Sequence, residues 1–66
     1  MEKINTKRLA IGDEVNLKDR DDGFHKLVVA GIIGETFHFR DIGKLKFYAV
    51  KEKYVKEGLL IETKIN

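Results

Sequence analysis

The sequence predicts an all-β domain, a small barrel of five short strands with one helical turn before the last. Three observations predict it. Residues 27–50, LVVAGIIGETFHFRDIGKLKFYAV, hold three runs rich in β-branched and aromatic residues, separated by Gly-Glu and Asp-Ile-Gly. The first of these runs is apolar at odd and even positions alike. A strand does this when it is buried on both faces, or bends so that each half serves a different part of the sheet. After Val50 the alternation stops: KEKYVKEG fits one turn of helix, with Glu52 four residues before Lys56 and Gly58 at its end.

Taken in order, MEKINTKR is polar and is expected to be a flexible segment over 1–8, leaving 9–66 as a single β-barrel domain. Leu9, Ile11, Val15 and Leu17 are apolar at odd positions around a Gly12-Asp13 turn, which predicts a lead-in and a first strand over 14–18. KDRDDGFHK, 18–26, is a polar loop in which Asp19, Asp21, Asp22 and Gly23 favour turns. Its acidic spacing lacks the later ligands and the twelfth-position glutamate of a calcium loop. Phe24 is expected to fold back onto the core edge.

Gly34-Glu35 fits a two-residue type II′ turn. That register sets Ile32 against Phe37 and Ala30 against Phe39, and leaves Leu27, Val29 and Ile33 on the opposite, outward face. Gly31 is where the strand would bend most easily. The next hairpin is expected to turn through a three-residue loop, Asp41-Ile42-Gly43, with Gly43 left-handed in a bulge. Phe39 then opposes Leu45 and Phe37 opposes Phe47 on the inner face. Arg40 with Lys44, His38 with Lys46, and Thr36 with Tyr48 lie outside. Tyr54 and Val55 are expected to cap the core, and Leu59, Ile61 and Ile65 to mark a last strand.

Length and composition bound the rest. Sixty-six residues make one domain, and a chain of this size buries only about 60% of its unfolded surface. There is no cysteine, hence no disulfide framework and no thiolate metal site. No apolar run nears the ~20 residues of a membrane span, and MEKINTKR lacks the apolar stretch of a signal peptide. The expected location is cytoplasmic. Thirteen Lys+Arg against eleven Asp+Glu give a formal charge of +2, with both signs interspersed. That is first of all a solvated surface.

The order of elements, and the lead-in Leu9-x-x-Gly12-Asp13-x-Val15, resemble SH3-like small barrels, including KOW-type and other bacterial SH3-like domains. The resemblance covers about 9–61 and is one of fold alone. A KOW-type barrel would imply ribosome or RNA-polymerase contacts, though the fold by itself does not deliver function. The chain has no tryptophan, so the aromatic groove that signalling SH3 domains offer to proline-rich peptides is not expected. An OB-like barrel is the competing architecture.

Catalysis has little to build on. Serine and cysteine are absent, and His25 and His38 are the only imidazoles. One of them paired with an aspartate is the single acid–base dyad available. No metal-ligand spacing and no phosphate-binding glycine motif occurs. The expectation is a non-enzymatic binder without cofactor, metal or small-molecule substrate. Two surfaces offer themselves. Leu27, Val29 and Ile33, beside Tyr48, would form an outward apolar patch for a protein partner or self-association. Alternatively His38, Arg40, Lys44, Lys46 and Tyr48, on the outer face of the 36–48 hairpin, interleave cations with a ring in the manner that holds RNA or single-stranded DNA.

Overall fold

The computed structural model describes residues 4–63. The protein is mostly β: four antiparallel strands form one open sheet in the order β1-β2-β3-β4, with one short helix. The strands are β1 (Glu14–Lys18), β2 (Phe24–Ile33), β3 (Thr36–Asp41) and β4 (Lys46–Lys51), followed by α1 (Glu52–Lys56). The first strand and the helical turn form where the sequence predicts them.

β2 is the long strand, and it is bent. Ile33 pairs with Thr36, Ile32 with Phe37 and Gly31 with His38, so the Gly34-Glu35 turn sets the expected register at this end. Within this turn positive φ is confined to Gly34, as type II′ geometry requires. The register then shifts between Val29 and Gly31, and Val29 meets Phe39 and Leu27 meets Asp41. Ala30 is the extra residue of a bulge. Each residue before it thereby changes face, so Leu27 and Val29 point into the core instead of outward, and both are essentially inaccessible.

A second correction concerns β4. Its pairing runs Asp41↔Lys46, Arg40↔Phe47, Phe39↔Tyr48, His38↔Ala49 and Phe37↔Val50, across a loop of residues 42–45. This loop is one residue longer than expected and starts one residue later, so the β4 pairing moves by three residues, and an odd shift exchanges the two faces of a strand. Tyr48 and Val50 are therefore core residues, while Phe47 is 66% and Leu45 94% exposed. The cause is Asp41. Its Oδ1 accepts the Gly43 N–H at 2.9 Å, so the turn is nucleated by the aspartate side chain. The left-handed residue is Leu45, not Gly43.

The core comprises Val15, Leu17, Leu27, Val29, Phe37, Phe39, Tyr48, Val50, Val55 and Leu60, with Ile4, Leu9 and Tyr54 packed against it. Phe37 and Phe39 stack with ring centroids 6.1 Å apart. α1 closes one end of this core: Val55 is fully buried, and the Glu52 N–H donates to the Glu35 carbonyl at 2.7 Å.

The chain on either side of the sheet is held as well. Residues 4–8 make defined contacts: Thr6–Arg8 form a 3₁₀ turn, the Ile4 N–H donates to Lys56 O at 3.1 Å, and the Thr6 hydroxyl donates to Glu52 Oε2 at 2.9 Å. The remainder of the expected flexible segment, 1–3, lies outside the described residues. No fifth strand forms over the described residues. Instead Leu59 makes a parallel bridge to Lys18, and Glu62 an antiparallel bridge to Val50. Lys64 and Ile65 of the expected last strand lie outside the described residues. No helix among the described residues is long and apolar enough to cross a membrane.

Candidate functional site

The cross-strand pairs define an outer sheet face. Opposed residues share a face, so Glu14, Val28, Arg40 and Phe47 form one row across all four strands. Gly31, His38 and Ala49 form the next row, and Ile33, Thr36 and Lys51 the one after. On the other side of the first row lie Asn16 with Lys26, and Lys18 with Phe24. The cations of this face are Lys18, Lys26, Arg40 and Lys51, and its one carboxylate, Glu14, lies 3.9 Å from Lys26.

Two phenylalanines stand out on this face. Phe47 is 66% exposed beside Arg40, and Phe24 is 73% exposed, so it does not fold back onto the core edge. His38, half-buried, sits between Gly31 and Ala49, two residues with no long side chain to cover its ring. Two rings thus stand about one strand spacing, near 4.8 Å, from a cation: Phe47 beside Arg40 and Phe24 beside Lys18.

The expected residue sets divide accordingly. Of the apolar patch, Leu27, Val29 and Tyr48 are in the core, and only Ile33 is exposed. Of the basic set, Arg40 and His38 share the outer face, and Lys44 lies in the exposed 42–45 loop. Lys46 and Tyr48 have changed sides with the β4 register. Lys46 Nζ sits 5.0 Å from the Tyr48 ring centroid and 3.9 Å from Glu62.

Beneath the face, at the end where the β1–β2 and β3–β4 loops meet, lies a histidine between two carboxylates. His25 Nε2 is 2.6 Å from Asp19 Oδ2, and Nδ1 is 3.7 Å from Asp41 Oδ2. Each aspartate also shapes its own loop through its other oxygen. Asp19 Oδ1 accepts the Asp21 and Gly23 amides, and Asp41 Oδ1 accepts the Gly43 amide. The His25 bond, with the Gly23 amide next, holds the Asp19 carboxyl below its ordinary range. An ionised Asp19 can only accept, so His25 Nε2 carries the proton. The Tyr48 ring meets His25 edge-on, with centroids 6.2 Å apart.

This is the aspartate–histidine dyad that the composition allowed. Its polar atoms are taken up in joining two loops, and its side chains are largely buried. Asp19 and His25 stand close in sequence, so that half of the cluster was visible beforehand. Asp41 enters only through the β2–β3 register. Phe47 was missed because the β4 face depends on the length of one loop.

No protein-family model, no curated protein and no solved structure matches this chain.

Proposed function

We propose that this protein is a non-enzymatic binding module that holds single-stranded RNA or DNA on the outer face of its sheet. The observation that carries the reading is the pairing of Arg40 with Phe47, which is 66% exposed on the edge strand β4 of a face that also bears Lys18, Lys26 and Lys51. A phenylalanine in that position contributes little to the core. Beside a guanidinium it offers a surface on which a base stacks while the cation meets the phosphate. His38 supplies a second ring one row away, and Lys26 and Lys51 extend the positive track to either side. Phe24 offers a further ring at the end of the strand. The site residues of this reading are Phe47, Arg40 and His38, with Lys44 at the loop rim.

At the level of architecture we read the domain as an SH3-like small barrel. Support comes from residues 59–63, which touch β1 at Lys18 and β4 at Val50 and so lie between the two edges of the sheet.

The experiment is a titration of labelled short single-stranded RNA and DNA, followed by fluorescence anisotropy at low and moderate salt. Binding should weaken steeply with salt, because cation–phosphate contacts release counterions. Phe47→Ala should weaken it about tenfold, within the ~1–3 kcal/mol that a stacked base contributes. Arg40→Glu should weaken it and reduce the salt slope, whereas Lys46→Glu, on the other face, should leave it unchanged. No binding at low salt, or binding indifferent to both Phe47→Ala and Arg40→Glu, would overturn the reading.

A further inference from the structure

We propose a second binding site: the open edge of β1 takes an extended peptide as an added strand, with one apolar side chain of that peptide seated in the groove beside it. The backbone determines which groups are open. The Lys18 N–H donates to Gly58 O, and Lys18 O accepts the Leu60 N–H, both at 2.8 Å. The polar groups of Lys18 therefore point away from β2. Every second residue of a strand points the same way, so the N–H and C=O of Asn16 and Glu14 face outward too. No bond to those groups occurs among the described residues.

The protein's own chain begins to cover this edge and then leaves it. Leu59 pairs with Lys18, but Gly58, at φ +72°, turns the preceding residues away into α1. The edge beyond Lys18 opens into a groove of about 500 Å³. Its walls include Ile4, Leu9, Val15 and Leu59, with Phe24 on the outer rim. This volume falls within the range of sites that take small ligands.

A strand placed on this edge has a defined alternation. Val15 faces the core side of the sheet, so the added residue opposite it points the same way, onto Ile4, Leu9 and Leu59. The residues on either side of it meet the outward amides of Asn16 and Glu14 and point toward solvent. The partner is thus a short extended segment with a β-branched or other apolar residue at its centre and no proline at the pairing positions. Its main chain supplies the affinity and the central side chain the selectivity, as in other cases of strand addition. This site shares Phe24 on its rim with the outer face, but it does not depend on the nucleic-acid reading.

The test uses the whole protein and the end-blocked peptide Thr-Thr-Val-Thr-Thr, observed by amide NMR. Saturable downfield shifts and slowed hydrogen exchange at Asn16 and Glu14 are expected, with Phe47 and His38 undisturbed. The same peptide N-methylated on either side of the valine cannot complete the ladder and should bind at least tenfold more weakly. Asn16→Pro, which removes the outward N–H at an edge position, should have the same effect on the unmodified peptide. Because the methylated peptide leaves the protein unaltered, the comparison holds even if the proline variant folds poorly. The proposal is overturned if Asn16 does not respond at millimolar peptide, or if both peptides bind equally. It is overturned as well if Asn16 shifts with protein concentration alone, which would make the occupant a second copy.

Discussion

His25 Nε2 lies 2.6 Å from Asp19 Oδ2, and through that contact a core-facing histidine holds the β1–β2 loop in place. The same loop makes a tight demand on Gly23: a Cβ there would come within 3.0 Å of Asp19 Oδ2, the oxygen that meets His25. Gly23→Ala should therefore push Asp19 off the imidazole and destabilise the protein. The lowered Asp19 pKa adds a pH dependence with a definite sign. A carboxyl whose folded pKa is depressed contributes stability above its unfolded value, near 3.8. That contribution is lost as pH falls through the lower folded value. Urea midpoints measured from about pH 6 down to about pH 2 should fall at the acid end. Asp19→Asn keeps an oxygen for the Asp21 and Gly23 amides but loses the charge, so its acid-range slope should be shallower. Asp19→Ala loses the turn as well and should be the less stable of the two.

The faces of β4 can be read from two neighbouring rings. Tyr48 is 7% exposed and Phe47 66%. Tyr48→Ala should cost about 3–5 kcal/mol, as expected for removing a buried aromatic. Phe47→Ala should stay within about 0.5 kcal/mol, as for most surface positions. Chemical denaturation of both variants decides the register: the three-residue loop would reverse their order.

How far the sequence reaches is set by where the deciding interaction lies. Strand 14–18, the Gly34-Glu35 turn and the helical turn before Gly58 rest on local chemistry, and each is legible from adjacent residues. The faces of β2 and β4 rest on odd shifts of register, one residue at the Ala30 bulge and three across the 42–45 loop, which period-two patterns do not reveal. The outer face was legible as a composition of cations and rings. Its members were not: the Phe47–Tyr48 exchange follows from the Asp41 side chain taking the Gly43 amide, a contact that the favourable Asp-Ile-Gly loop concealed. Asp41 is drawn into the interior because it also faces His25, sixteen positions earlier in the chain.

Thr6 ties the N-terminal segment to α1. Its side chain is buried and its hydroxyl donates to Glu52 Oε2, 46 positions away in sequence. Thr6→Val keeps the shape and leaves that carboxylate oxygen without its donor. A hydrogen bond to a charged group contributes about 1.5–3 kcal/mol, and the lower end applies because Glu52 is only half-buried. The expected loss is about 1.5 kcal/mol. It should be accompanied by faster exchange of the Ile4 amide, whose bond to Lys56 O lies at the same junction. An unchanged Ile4 exchange rate would mean that the segment is held without Thr6.

Leu45 is the position at which the protein should be easiest to stabilise. Its φ of 41° is left-handed, and its side chain is 94% exposed, so it bears backbone strain with no packing in return. A residue with a Cβ costs about 1–2 kcal/mol in that conformation. Glycine removes the cost but adds freedom to the unfolded chain, worth about 0.4–1 kcal/mol. Leu45→Gly should therefore gain up to about 1 kcal/mol, and Leu45→Asn should also gain, since asparagine tolerates this region with a smaller entropic penalty. Thermal melts of both variants check this. If the loop sits beside bound nucleic acid, as the proximity of Lys44 and Phe47 in sequence implies, the same variants report on function as well. Higher melting temperature with weaker RNA binding would assign Leu45 a contact on the ligand, and higher melting temperature with unchanged binding would leave the strain as a local feature of the turn.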